Sequence, residues 1–83
     1  MSNFTVTTTY QTLATIMGDS YDATKDFSVH VNEIALGLLQ VSDSNTTKGK
    51  EYPSFADFVI EKGTTVYLKG SISNIDIYIT EKA

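Results

Sequence analysis

From residue 75 to residue 80 the chain reads Ile-Asp-Ile-Tyr-Ile-Thr, apolar and polar side chains in strict alternation. Successive side chains point to opposite faces only in an extended strand, so this run commits Ile75, Ile77 and Ile79 to one face and Asp76, Tyr78 and Thr80 to the other. An apolar face of that kind must be covered, and an antiparallel sheet with one buried side is where such alternation recurs. The period returns elsewhere. Residues 4–9, Phe-Thr-Val-Thr-Thr-Thr, set Phe4 and Val6 against threonines; residues 27–31, Phe-Ser-Val-His-Val, alternate cleanly; and residues 65–69, Thr-Val-Tyr-Leu-Lys, do so again. β-Branched and aromatic residues suited to a pleated surface dominate these stretches.

The remaining segments are less regular. Residues 10–17 carry Leu13, Ile16 and Met17 at helical spacing, which predicts a short helix or turn before Gly18-Asp19-Ser20. Residues 34–41 are apolar on both faces, but Gly37 weakens a helix there. The two-residue gap after residue 31 is hairpin-like, so the expectation is a central strand paired with residues 27–31. Tyr52-Pro53 leads into a bend and then a strand ending at Ile60, and residues 65–69 and 75–80, joined by a short polar connection, predict a terminal hairpin. The fold class is therefore all-β, a small antiparallel β-sandwich or barrel of about six strands.

With 83 residues there is room for one core, so the expectation is a single β-domain over 1–83. Residues 42–51, Ser-Asp-Ser-Asn-Thr-Thr-Lys-Gly-Lys-Glu, contain no apolar side chain and predict a flexible polar loop, the first site of proteolytic nicking. Lacking cysteine, the chain has neither disulfides nor thiolate metal sites to reinforce so small a core, which leaves association between copies as the available source of added stability. Tyr67, Lys69, Tyr78 and Thr80, outward on the expected terminal hairpin, are the interface candidates, with the last strand as an exposed sheet edge.

Six lysines, no arginine and ten carboxylates give a formal charge of −4, which argues against a nucleic-acid partner, since such partners are held by clustered cations. No apolar run is long enough to cross a membrane as a helix, and the N-terminus lacks a signal-peptide pattern, so the protein is expected to be made soluble and to stay in its compartment of synthesis. The sequons at Asn3 and Asn45 then read as accidental.

Residues able to do chemistry are sparse. His30, the single histidine, points away from Val29 and Val31, as either a ligand or pH-sensitive contact or an ordinary polar residue on an outward strand face. Asp19, Asp22 and Asp26 gather oxygen ligands of the kind calcium prefers, but without the glycine and closing glutamate of an EF-hand, so an acidic solvated loop is the favoured account of them. No nucleophile elbow or phosphate-cradling glycine loop occurs, so the chain is expected not to be an enzyme and to need no cofactor. The five tyrosines offer flat rings with polar tips, which keeps open carbohydrate binding or host recognition.

One longer pattern carries a resemblance. Pro53 in a loop, a glycine turn at Gly63, the segment Val66-Tyr67-Leu68-Lys69-Gly70-Ser71, and the alternating run from Ile75 to Glu81 resemble the second half of small accessory structural proteins of bacteriophage virions, the head-decoration and fibre-type β-domains. The matching stretch covers somewhat over a third of the chain, and differs in having Tyr67 where many such segments carry tryptophan. The resemblance implies a virion protein, made in the host cytoplasm, that binds a capsid or tail protein and cements subunit junctions, often as a homotrimer and without catalysis. A carbohydrate-binding module of a phage fibre is the alternative.

Overall fold

A computed structural model describes residues 2–44 and 49–82. Among the described residues eight strands form two antiparallel sheets of four. They are β1 (Ser2–Val6), β2 (Gln11–Thr12), β3 (Asp26–Val31), β4 (Leu39–Ser42), β5 (Lys50–Tyr52), β6 (Asp57–Ile60), β7 (Tyr67–Gly70) and β8 (Ile75–Lys82). The first sheet has the order β1-β8-β3-β6 and the second β2-β7-β4-β5. This is the all-β sandwich the sequence predicts, with eight strands in place of about six because β2 and β5 are too short to show a period of their own.

A single helical turn, α1 (Leu13–Met17), follows β2; Thr12 caps it, its Oγ1 accepting the Thr15 amide at 3.2 Å. That agrees with the spacing of Leu13 and Met17, both buried, and a 3₁₀ turn (Gly18–Ser20) ends the helix. The core between the layers is dominated by the first sheet: Val6, Phe27, Val29, Val31, Ile60, Ile75, Ile77 and Ile79 come from its strands. The second sheet adds Leu39 and Leu68, and α1 adds Leu13 and Met17. Each fully buried aliphatic side chain contributes roughly 1.5–3 kcal/mol, so β3 and β8, at the centre of the first sheet, carry most of the cohesion. Along one open side the rings of Tyr52 on β5 and Phe58 on β6 stack at 4.4 Å and close the sandwich.

Two expected hairpins do not form. Residues 32–33, read as a hairpin turn, and residues 34–38, read as the start of a strand paired with residues 27–31, instead carry the chain from β3 in the first sheet to β4 in the second. Gly37 sits at φ +87, and a Cβ on it would lie 2.7 Å from Ser71 Oγ, so the segment turns where a strand would run straight. The terminal hairpin fails likewise: β7 lies between β2 and β4, whereas β8 lies between β1 and β3 in the other sheet. The cross-over is tight at Gly70, where a Cβ would come 1.9 Å from the Ser73 carbonyl oxygen. β8 is consequently central, and the expectation that the last strand forms a sheet edge is overturned; the edges are β1, β6, β2 and β5.

The sequence run 4–9 also shortens, since pairing with β8 ends at Val6, and Thr7 and Thr9 turn the chain toward the second sheet. The polar stretch 42–51 falls between β4 and β5, which among the described strands are the one pair consecutive in sequence that hydrogen-bond to each other, with Leu39 opposite Tyr52 and Val41 opposite Lys50. Ser42 and residues 50–51 belong to these strands, and residues 45–48, with Lys48 and the Asn45 sequon, lie outside the described residues.

Candidate functional site

The outer face of the first sheet gathers the chemically most capable side chains. Strand parity puts Phe27, Val29 and Val31 inward, so His30 and Ser28 face out; on β8 the same parity turns out Asp76, Tyr78 and Thr80. Register then sets the neighbours. Asn3 of β1, Tyr78 of β8, His30 of β3 and Asp57 of β6 form one row across the four strands, and Thr80, Ser28 and Val59 form the next.

Within the row, His30 Nδ1 lies 2.8 Å from Asp57 Oδ1. An ionised carboxylate only accepts, so the histidine donates from Nδ1. A second carboxylate stands one row along: Asp76 Oδ1 accepts the Thr5 hydroxyl at 2.9 Å. Asn32 Nδ2 donates to Asn3 Oδ1 at 3.1 Å at the same end of the sheet.

The face is completed by a residue held in an unusual backbone. Ala56 N–H donates to the Pro53 carbonyl, which closes a four-residue turn, and Phe55, third in that turn, has φ +65. Among the described residues with positive φ it alone is not glycine. Phe55 N–H donates to the Val31 carbonyl while Val31 N–H donates to the Ala56 carbonyl, both at 2.8 Å, so two residues oppose one in a β-bulge whose first position glycine normally fills. Despite that, the phenyl ring is 61% exposed, and its centroid lies 6.4 Å from the His30 ring. Val59, 48% exposed, and Tyr78, 36% exposed, lie on the same face. Phenylalanine thus occupies a strained position without gaining burial from it, which is the circumstance in which an outlier points to function.

Of the residues singled out by sequence, Tyr78 and Thr80 belong to this face. Tyr67 and Lys69 lie on the outer face of the second sheet, where Lys69 Nζ stands 5.3 Å above the Tyr10 ring and Gln40 Nε2 donates to Glu51 Oε2 at 3.1 Å. The four interface candidates are therefore split between opposite sides of the sandwich, and Tyr67 does not pair with Tyr78. Asp19, Asp22 and Asp26 do not converge, and among the described residues no group of three histidine, cysteine or acidic side chains is placed to hold a metal. Asp22 accepts both the Thr24 hydroxyl at 2.6 Å and the Thr24 amide at 2.9 Å; these bonds, the hydroxyl foremost, hold its carboxyl below the ordinary 3.8. Asp26 accepts the Lys62 amide at 2.7 Å.

A histidine oriented by a carboxylate is two parts of a nucleophilic triad. Among the described residues no hydroxyl hydrogen-bonds to His30, and the pair lies on an open sheet. A small cleft of about 60 Å³ lies elsewhere, lined by Thr12, Leu13, Tyr21 and Val66, well short of the roughly 300 Å³ at which organic ligands become enclosed. What the outer face can do is present rings, carboxylates and amides to a surface of another molecule.

Sequence reasoning gave the outward direction of His30, Tyr78 and Asp76, but missed Phe55 and Asp57 as their neighbours. The usable signal was Pro53, four residues before the start of β6 at Asp57. Comparison with protein-family models, with curated proteins and with solved structures finds no match to this chain.

Proposed function

We propose that the chain is an accessory structural protein of the virion-decoration type, which attaches to a protein shell through the outer face of its first sheet and reinforces it by contact. The observation that carries the binding part of this reading is Phe55, an exposed aromatic ring held at positive φ beside Tyr78, His30 and Val59. Aromatic side chains presented by a rigid sheet lose little conformational entropy on contact and are enriched among residues that dominate interfaces. The virion part rests on the resemblance of the segment from Pro53 to Glu81.

An interface of ordinary size covers about 800 Å² on each partner, and one face of a domain with principal extents of 32 × 25 × 19 Å is large enough to supply it. Mass spectrometry of purified particles from the source tests the assignment directly. The chain is expected among the virion components, and Phe55→Gly is expected to fold and yet bind the particles more weakly. Particles that lack the chain, or that bind Phe55→Gly as well as the parent, refute the reading.

A further inference from the structure

The two sheets treat their aromatic rings differently. Beside the second sheet two tyrosines lie under lysines of the chain: Lys69 Nζ stands 5.3 Å from the ring centroid of Tyr10, which precedes β2, and Lys50 Nζ 5.2 Å from that of Tyr52 on β5. On the first sheet no such cover is supplied. Strands β1, β3 and β6 contain no lysine at all, and β8 contributes only Lys82, four positions beyond Tyr78. Lys25 is engaged with Glu81 at 3.7 Å, and among the described residues no ammonium group stands over Phe55 or Tyr78.

Two carboxylates flank those rings. Asp57 is bound through Oδ1 to His30, and Asp76 through Oδ1 to Thr5, which leaves Oδ2 of each without a bond to the described residues. A cation approaching this face would meet a ring to lie on and a carboxylate oxygen to bond at once. Guanidinium suits both, because its planar fork bonds a carboxylate while its flat side stacks on an aromatic ring, and the chain itself has no arginine.

We infer that the outer face of the first sheet is a receptor for arginine side chains presented by a partner protein, with Tyr78 and Phe55 as stacking surfaces and Asp57 and Asp76 as anionic partners. The inference rests on the proposed attachment through this face and names its partner's chemistry: a basic protein surface. The formal charge of −4 favours the approach of such a surface over long range.

The test uses the intact chain and blocked peptides of alternating glycine and arginine, followed by amide resonances. Shifts are expected at residues 28–32, 55–59 and 76–80. Affinity should fall about two- to fivefold in Asp57→Asn, in Asp76→Asn and in Tyr78→Ser, and more steeply in about 1 M salt. Equal shifts with a glycine–glutamate peptide, shifts scattered over Asp19, Asp22 and Asp43, or shifts of the same residues by neutral oligosaccharides overturn the inference. Particle binding measured on the same variants separates it from the broader reading. If Tyr78→Ser and Phe55→Gly lose binding while the two carboxylate variants keep it, the face is the attachment site and the arginine inference fails.

Discussion

Phe55 offers a direct test of the backbone that shapes the face. A residue bearing a Cβ at positive φ carries a penalty of roughly 1–2 kcal/mol, which glycine escapes. In an ordinary position glycine is less stable than alanine by roughly 0.5–1 kcal/mol, because the unfolded chain gains freedom. At φ +65 the first effect exceeds the second, so Phe55→Gly is expected to be more stable than Phe55→Ala by about 0.5–1 kcal/mol, the reverse of the usual order. For a domain of this size that is a gap of about 2–8 °C in Tm, measurable by calorimetry or by urea unfolding with a common slope. Against the parent, Phe55→Gly should lie within about 1 kcal/mol, because the ring is 61% exposed and its lost contacts offset the relieved strain. If Phe55→Ala equals or exceeds Phe55→Gly in stability, the residue is not held at positive φ in solution, and the argument from strain to function falls with it.

Gly70→Ala should destabilise by more than about 2 kcal/mol, since its Cβ would lie 1.9 Å from a backbone oxygen that cannot move without opening the cross-over; unchanged urea unfolding would refute this. Leu68→Ala, at a position with no exposed surface in the sparser half of the core, should cost about 2–5 kcal/mol in the same measurement, and a smaller loss would show that the second sheet is loosely packed. The Asp22 carboxyl carbon should titrate with a midpoint below 3.8. Because the folded-state value is depressed, Asp22→Asn should lower stability at neutral pH, and the difference should vanish as pH falls through that midpoint; a difference constant with pH contradicts the Thr24 hydrogen bonds as its source.

How far the sequence could be read follows from what alternation encodes. A period of two says which side chains face inward, and on that point residues 27–31 and 75–80 were legible: the isoleucines of β8 and the odd residues of β3 are buried as expected. It says nothing about which sheet receives a strand, because a buried face is satisfied equally by either layer. The chain uses that freedom at nearly every step, crossing between layers everywhere except from β4 to β5. Short polar connections at 32–33 and 70–74 therefore resembled hairpin loops while serving as corners. The site was hidden for a related reason: Asp57 meets His30 through the register of two strands far apart in sequence, and a phenylalanine gives no local sign of a conformation that normally demands glycine.

The placement of the tyrosines also limits how copies of this chain could assemble. A closed trimer is cyclic, so a patch on each copy must meet a different patch on the next, and the two patches must lie at an angle that closes the ring. Tyr78, with Asp57 and Asp76, faces out from one sheet, and Tyr67, with Lys69, faces out from the other. The faces of a two-layer sandwich point in opposite directions. Charge favours bringing the lysine-bearing face of one copy against the acidic face of another, but that contact stacks copies along a line and leaves an end always open. Acidic face against acidic face closes a pair, yet sets the carboxylates of Asp57 and Asp76 against their counterparts. A ring built by this chain would therefore have to use its edges, β1 and β6 on the first sheet or β2 and β5 on the second, and would leave both outer faces free. It follows that Tyr67→Ser and Tyr78→Ser should act independently. Tyr78→Ser should weaken attachment to an arginine-bearing surface, Tyr67→Ser should not, and neither should lower the mass of any ring seen by light scattering. Loss of a ring on changing either tyrosine would show that the outer faces, and not the edges, hold the copies together.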